Sequence, residues 1–352
     1  LKYIKIKEGE KMNQGITLAG NILIDHNREI EHYPQHSKLT VINKAYNTLG
    51  GSVCNSGICL AKLEPDLPVK ALGLIGNDTD GRLILNELQS YPNLDCSQVM
   101  ISNYATSFTD VIADMTNNTR TFFSYKGASS KLSFEHFDFN KISTNILHVG
   151  YILLLDALDQ KDPEFGTVLA RILFQAQKLG IKTSIDVVTE NSDRFQKIVP
   201  PAIKYTNYCI INEEEAAQTV GIPVRRDDHT LDVEKCYQVC QKLFLLGVKD
   251  WVVLHSREGG IGLDKDGNFV AKASLDIPTE TIKGTTGAGD AFLSGVLLGA
   301  YKGYPIENSI ELGIATSNAS LLEPGPTAGI KTEKEMWKFY YSSTKEKWIG
   351  FN

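Results

Sequence analysis

The alternation of short apolar segments with longer amphipathic ones limits the fold of this chain more than any other feature of its sequence. Strand-like runs recur from residue 15 to residue 263, and helical periodicity follows most of them. Strands are predicted at 15–24, 69–75, 145–149, 182–187, 207–211, 250–254 and 260–263, and helices at 53–63, 81–90, 164–179, 213–219, 232–246, 290–301, 307–322 and 333–342. This order predicts an α/β protein with a doubly wound, mostly parallel sheet flanked by helices.

Two segments, 26–48 and 104–126, do not fit this rhythm and are predicted to form a small β lid over one end of the sheet. The second alternates in hydrophobicity and contains Asn117-Asn118, which is typical of a β-hairpin turn. No linker or repeat separates a second domain, so we expect one domain over 12–330. A C-terminal helix and tail of the same domain would follow at 331–352. The sequence leaves open what the basic residues 1–11 contribute.

Charge and composition argue against several classes of partner. The formal net charge is −6, from 36 Lys and Arg against 42 Asp and Glu, which argues against nucleic-acid binding. Apolar stretches such as 291–300 are shorter than the ~18 residues needed to span a bilayer, so no membrane partner is expected. The six cysteines form no CxxC pair. Reduced thiols and a cytoplasmic location are the expectation.

The segment 284–295, GTTGAGDAFLSG, combines a glycine-rich turn with the start of an apolar helix. The backbone amides of Gly287, Ala288 and Gly289 can converge on negative charge, and the helix dipole would reinforce them. Asp290, beside these amides, can accept the proton of an attacking hydroxyl. The alternative is a structural helix with Asp290 as its N-cap.

This segment resembles the C-terminal signature of the ribokinase-like (PfkB) carbohydrate kinases. Further family motifs occur in the expected order, so the resemblance spans about residues 15–330. They are Gly20-Asn21 with Asp25, the GGxxxN element at Gly50, Gly51 and Asn55, the GxxGxDxxG segment at 73–81, the NxxE motif at Asn212 to Glu215, and Gly325.

The resemblance implies ATP-dependent phosphorylation of a hydroxyl on a small sugar or sugar-like substrate. Asp290 would be the general base, and residues 287–289 would form the anion hole. Asn212 and Glu215 would organise Mg²⁺, largely through water. A helix start whose glutamates complement the dipole is the alternative for this motif.

The resemblance also implies binding sites for the sugar and for the nucleotide. The sugar-binding residues would be Asp25, Gly50, Gly51 and Asn55, and the nucleotide-binding residues Thr286, Ser256, Gly259 and Asn318. Thr106 and Arg120 are looser lid candidates, and Asp186 is carried over more weakly because the spacing to Arg194 is longer than usual. His148 and His255 are expected to be packed, structural histidines.

The chain departs from the family just before its last signature. Gly284, preceded by Lys283, stands where the family commonly carries an acidic residue that helps to hold a monovalent cation. This departure puts potassium activation in doubt, and the hypothesis is that the Lys283 ammonium substitutes for the cation. Ser256 also replaces a usual glycine, and Leu254 a frequent polar residue.

Several alternatives stay open at this point. The chain could be a nucleoside kinase of the same family, or a non-catalytic sugar-binding sensor. A sugar phosphate could be the substrate if Arg120 and Arg194 met its phosphate. A nicotinamide dehydrogenase would need GxGxxG after the first strand, and residues 19–25 lack it. Exposed lid strands could pair across a two-fold axis, which would give a homodimer.

Overall fold

The computed structural model describes residues 14–348 except 118 and 191. Residues 1–11, whose contribution the sequence leaves open, and Asn118 of the predicted hairpin turn therefore lie outside the described residues. The strands are β1 Ile16–Gly20, β2 Leu23–Ile30, β3 Ile42–Gly50, β4 Val69–Gly76, β5 Leu94–Ser102, β6 Ser107–Asp114, β7 Thr119–Tyr125, β8 Ile146–Ile152, β9 Lys161–Asp162, β10 Gly166–Thr167, β11 Lys182–Val187, β12 Tyr208–Asn212, β13 Trp251–Ser256, β14 Gly259–Asp264 and β15 Phe269–Ala273. The helices are α1 Ser52–Leu63, α2 Thr79–Gln89, α3 Val168–Lys178, α4 Phe195–Ile203, α5 Glu213–Val220, α6 Val233–Leu246, α7 Ala288–Lys302, α8 Ile306–Leu321 and α9 Glu333–Ser342.

The main sheet has nine strands in the order β15-β14-β13-β12-β11-β8-β1-β4-β5. All neighbours from β5 to β13 pair in parallel, and β14 and β15 add antiparallel strands at one edge. This confirms the predicted doubly wound, mostly parallel sheet. The strand order reverses between β1 and β8, and ligands in such folds bind beyond the carboxyl ends of the strands at this switch point.

Apolar side chains cover both faces of the main sheet. Ile16 and Leu18 of β1 belong to the core that contains α1, α7 and α8, whereas Ala19 belongs to the core that contains α3, α4 and α6. Successive residues of a strand point to opposite faces, which explains the split. Each fully buried Leu or Ile contributes roughly 1.5–3 kcal/mol, so the two cores hold the strand ends in fixed positions.

The segments 26–48 and 104–126 contribute most of a separate four-stranded sheet, in the order β3-β2-β6-β7. β2 pairs in parallel with β6 and antiparallel with β3, and β7 closes the sheet as an edge strand that is exposed along its length. Asp25, Thr109 and Ser124 stand in register across three of the strands and therefore share one face.

Five elements were absent from the sequence prediction: β5, β9, β10, α4 and β15. The helix α4 contains Pro200 and Pro201, which normally argue against a helix interior. The strand β15 is half-buried at the sheet edge and lacks a strong pattern. The helix predicted at 164–179 begins at Val168, because β9 and β10 form a short antiparallel pair before it. Within the described residues, none of the helices combines the length and the apolarity that crossing a bilayer requires.

Candidate active site

The turn that precedes α7 depends on a glycine. Gly287 has a φ of 81°, and a Cβ there would lie 2.2 Å from Pro326 Cβ. A side chain at this position is therefore disfavoured by the left-handed backbone conformation and would also clash with Pro326. Gly287 is the N-cap and makes no side-chain cap, and the Ala288 N–H donates to the Thr285 carbonyl oxygen at 3.3 Å. The amides at the start of a helix have no acceptor within the helix itself, so this turn can offer N–H donors to an anion.

Asp290 lies in the first turn of α7 and is 4% exposed. Its Oδ2 accepts hydrogen bonds from Asn55 Nδ2 at 2.8 Å and from the Tyr151 hydroxyl at 2.9 Å. Burial raises the pKa of Asp290, and these two hydrogen bonds oppose the rise. Asp290 is not the N-cap of its helix, so that alternative is wrong.

The carboxylate of Asp25 is near enough to Asp290 for the two charges to interact. Burial, with a further contribution from the Asp290 charge, raises the pKa of Asp25 to about 7. A Cβ on Gly50 would lie 2.5 Å from Asp25 Oδ2, and one on Gly51 would lie 2.6 Å from the Asn21 carbonyl oxygen. The two glycines therefore make room for Asp25 and for the start of α1, which carries Asn55.

Tyr151 and Asp186 complete this group, at the ends of β8 and β11. The Tyr151 backbone N–H donates to Asp186 Oδ1, while its hydroxyl donates to Asp290. Burial, followed by the charge of Asp290, raises the pKa of Asp186 well above its usual range. The sequence prediction missed Tyr151, although its position directly after Gly150, at a strand end, was a usable signal.

Asn212 and Glu215 form a capping box at the start of α5. Asn212 N donates to Glu215 Oε2 at 3.0 Å, and Glu215 N donates to Asn212 Oδ1 at 2.8 Å. The Thr189 hydroxyl donates to Glu215 Oε1 at 2.8 Å. Burial raises the pKa of Glu215 to about 7, against the effect of these hydrogen bonds.

A cavity of about 220 Å³ brings several of these groups together. We call it the site cavity. It lies at the carboxyl ends of β8, β11, β12 and β13, where the parallel strands meet α7. Its lining residues are Tyr151, Asp186, Val187, Val188, Thr189, Ile210, Asn212, Glu215, His255, Gly287, Gly289, Asp290 and Leu293.

Comparison with known proteins identifies the family. A family model described as pfkB family carbohydrate kinase matches residues 15–333. The chain belongs to the pfkB family of carbohydrate kinases. It is similar to the 5-dehydro-2-deoxygluconokinase of Clostridium beijerinckii, with 24% identity over 90% of this chain and 89% of the relative.

Two further similarities agree with this assignment. The ATP-dependent 6-phosphofructokinase of Thermoanaerobacterium thermosaccharolyticum is 24% identical over 69% of this kinase and 70% of its own length. The solved structure of Arabidopsis thaliana ribokinase, complexed with ribose and ATP, superposes with a TM-score of 0.76 at 20% identity. That alignment covers 94% of this kinase and 99% of the ribokinase. The protein is therefore a carbohydrate kinase with the ribokinase-like fold.

None of the four residues expected to bind the nucleotide lines the site cavity. Thr286 is nevertheless adjacent to it, because it directly precedes Gly287, which is a lining residue. Ser256 pairs with Gly259 at the end of the β13–β14 hairpin. Gly259 has a φ of 146°, and a Cβ there would lie 2.0 Å from the Lys272 carbonyl oxygen. Asn318 Nδ2 donates to Ser274 Oγ at 3.1 Å, and Ser274 N lies beside Gly259. The structure thus brings Ser256, Gly259 and Asn318 into one neighbourhood.

Arg120 crosses from the four-stranded sheet to the signature loop of this kinase. Its Nη1 donates to Thr286 Oγ1 at 2.7 Å. Thr106, the other lid candidate, instead donates its hydroxyl to Asp78 Oδ1 at 2.6 Å and accepts from Gly76 N at 2.8 Å. Of the two lid candidates, Arg120 is the one that reaches the glycine-rich segment 284–289.

Two other basic residues are held by acidic partners. Arg194 donates to both carboxylate oxygens of Glu190, at 2.9 and 2.7 Å, and to the Leu153 carbonyl oxygen at 2.7 Å. Lys283 Nζ lies 3.0 Å from Glu323 Oε2. The ammonium of Lys283 is thus engaged by Glu323, which does not favour its acting in place of a cation.

His148 and His255 are both neutral at ordinary pH, although only His148 is fully shielded from solvent. Burial lowers the pKa of His148 to about 3 and that of His255 to about 4. His148 lies within β8, as expected for a packed histidine. His255 packs against Phe292, with ring centroids 5.2 Å apart, and also lines the site cavity.

Proposed function

We propose that this kinase transfers the γ-phosphoryl group of ATP to a hydroxyl of a small sugar or sugar-like substrate, with Asp290 as general base. The observation that carries the proposal is the position of Asp290, buried in the first turn of α7 beside the Gly287 turn. The amides of Gly287, Ala288 and Gly289 would stabilise the charge that spreads over the transferred group. The acceptor hydroxyl would then lose its proton to Asp290.

Mg²⁺ would be held near Asn212 and Glu215, which supply the oxygen ligands that this ion prefers. Asp186, Glu215 and Asp290 line one small cavity, and their pKa values are all raised by burial and, for Asp186, by the neighbouring carboxylates. A divalent cation fits such a surplus of acidic groups. Within the described ranges no group of three His, Cys, Asp or Glu side chains is arranged to hold a metal by itself. Mg²⁺ bound mainly through water and nucleotide phosphates would need few direct protein ligands, which agrees with this observation. The ion would also neutralise phosphate charge.

The nucleotide would lie along Thr286, Ser256, Gly259 and Asn318. Two observations support this placement. Three of these residues share one neighbourhood, as described above, and Thr286 leads into the turn whose amides would face the phosphates. The similar Arabidopsis ribokinase is complexed with ATP.

The sugar would lie between Asp25 and Asp290. Asp25 can accept hydrogen bonds from sugar hydroxyls, while Gly50 and Gly51 allow a close approach. Of the two arginines considered for a second phosphate on the substrate, Arg194 is occupied by Glu190, whereas Arg120 has a neutral partner in Thr286. A sugar with an anionic group would therefore meet Arg120.

We also propose that the four-stranded sheet is a lid of the single domain spanning 12–330, with 331–352 as its C-terminal helix and tail, and that its outer edge forms a homodimer in the cytoplasm. The edge strand β7 exposes both Phe122 and Phe123 to 56%. An edge strand of this kind offers unpaired backbone groups as well as apolar surface.

The decisive experiment measures ADP release against a panel of sugars, sugar acids and nucleosides, with and without Mg²⁺ chelation. We expect turnover of one acceptor that requires Mg²⁺. In Asp290→Asn, kcat should fall by roughly 10²–10⁴-fold because the base is lost, while the acceptor still raises the melting temperature.

The matched control is Asp66→Asn, since Asp66 is exposed and remote from the catalytic turn in sequence. It should keep the wild-type rate. Turnover in Asp290→Asn at the wild-type rate would refute the assignment of the base. A nucleoside as the acceptor that is turned over would favour the nucleoside-kinase branch over the sugar substrate.

A further inference from the structure

Tyr151 has a backbone conformation that is unusual for an aromatic residue. It lies at the end of β8, between β1 and β11, at the point where the strand order reverses. Its φ is 65°, in the left-handed region that residues with a Cβ seldom adopt. Such a conformation persists only where the surrounding contacts impose it, and it is concentrated at functional sites.

The contacts that impose it are on both sides of the residue. The Tyr151 N–H donates to Asp186 Oδ1, a buried acceptor. The preceding Gly150 packs so closely on α1 that a Cβ there would lie 1.7 Å from Ser52 Oγ. The backbone at Tyr151 is therefore fixed by β11 on one side and by α1 on the other.

This backbone directs the phenol into the site cavity, where its hydroxyl lies 2.9 Å from Asp290 Oδ2. Asn55 Nδ2 donates to the same oxygen at 2.8 Å. Neither donor binds Oδ1. The two oxygens of the carboxylate are thus distinguished, since one is held by protein donors and the other can receive a proton.

We propose that Tyr151 is a positioning residue for the general base: its hydroxyl holds Asp290 Oδ2, so that Oδ1 is presented to the acceptor hydroxyl as an ionised oxygen. This inference rests on the proposed role of Asp290 as the base. It adds a residue that no sequence motif of the chain contains, and it assigns separate tasks to the two carboxylate oxygens.

The surroundings of Asp290 make such a donor necessary. The titratable groups that face it from neighbouring elements are Asp25 on β2, Cys54 and Cys59 on α1, Asp186 on β11, Glu215 on α5 and His255 on β13. None of these six groups is a cation at neutral pH, because burial lowers the pKa of His255 to about 4. The rise that burial causes in the pKa of Asp290 is therefore opposed by neutral hydrogen-bond donors, Asn55 and Tyr151. The phenol stays protonated, since burial and the charge of Asp290 raise its pKa.

The test is the pH dependence of kcat/KM for Tyr151→Phe, which keeps the ring and removes the hydroxyl. Loss of a hydrogen bond to a charged group should move the acid limb up by about one to two pH units. At neutral pH kcat should fall roughly tenfold or more, while KM for both substrates changes little, because the phenol acts through Asp290. The matched control is Tyr208→Phe, a buried tyrosine on β12 that packs on Trp251. Its profile should match the wild type.

The outcomes separate this inference from the proposed function. If Asp290→Asn keeps the wild-type rate, the assignment of the base fails and Tyr151 loses its role with it. If Asp290→Asn is inactive but Tyr151→Phe has the wild-type acid limb and kcat, the base stands and the role of Tyr151 is refuted. Should Tyr151→Phe fail to fold, Tyr151→Asn is measured instead, because asparagine tolerates the left-handed backbone and lacks the phenol. The acid limb should still move upward, and an unmoved limb would overturn the inference.

Discussion

His148 is a titratable group in the middle of the central sheet, and it makes stability depend on pH. It is fully buried in β8, in register with Leu18 on one side and Ser184 on the other. Nδ1 lies 3.1 Å from Ser184 Oγ, and Nε2 is buried with no hydrogen-bond partner in the described part of the chain. Burial lowers the pKa of His148 from 6.5 to about 3.

The magnitude follows from the difference between the folded and unfolded pKa. Below pH 6.5 the unfolded chain binds a proton at this histidine that the folded protein does not bind. The contribution of His148 to stability is therefore complete above pH 6.5 and is lost as the pH falls towards 3. The loss is roughly 1.4 kcal/mol per pH unit, so about 1.4 kcal/mol is gone at about pH 5.5.

The assay is urea unfolding of the wild type and of His148→Leu at about pH 7.5 and about pH 5.5. The wild type should lose about 1.4 kcal/mol more stability across this interval than the variant does. His255 and the buried carboxylates titrate in both proteins, so the difference isolates His148. His36→Leu, at an exposed histidine, should show the wild-type dependence. Equal pH dependence in wild type and His148→Leu would refute the reasoning.

Two further predictions concern the four-stranded sheet. Asp78 accepts hydrogen bonds from Gly81 N at 2.8 Å and from Thr106 N at 2.7 Å, so it caps α2 and holds the start of β6. Asp78→Ala should lower the free energy of unfolding by about 2–3 kcal/mol in urea titrations, whereas the exposed Asp66→Ala should change it little; equal stabilities would contradict this. The chain mass is 38.9 kDa, and sedimentation should give twice that value for the homodimer. Phe122→Ser with Phe123→Ser should restore the monomer, and a monomeric wild type would exclude the dimer.

The main architecture was predictable because its signals are local. The strands of the parallel sheet are short apolar runs, and the glycine-rich turn before α7 is visible in the sequence at 284–289. The family resemblance assigned Asn55 to the sugar site and Asp290 to catalysis, and the structure brings the two side chains to 2.8 Å. The direct hydrogen bond between them was not predicted, because it joins residues that are far apart in the sequence.

What the sequence did not predict depends on tertiary contacts. The helix α4 forms despite Pro200 and Pro201, since its buried face packs on neighbouring helices. The left-handed backbone of Tyr151 has no local signature, because tyrosine does not favour it and only Asp186 and α1 impose it. The engagement of Arg194 by Glu190 and of Lys283 by Glu323 likewise required coordinates.

The contact between Asn55 and Asp290 joins residues that are 235 positions apart in the chain. During synthesis Asn55 leaves the ribosome long before Asp290. The helix α1 therefore lacks this contact until α7 has been synthesised. A chain that ends before α7 has Asn55 and Tyr151 but lacks Asp290, the proposed base. Phosphoryl-transfer activity would therefore appear only in molecules in which Asn55 and Asp290 have come into contact. Such activity would indicate that the whole domain has folded, and not only its first half.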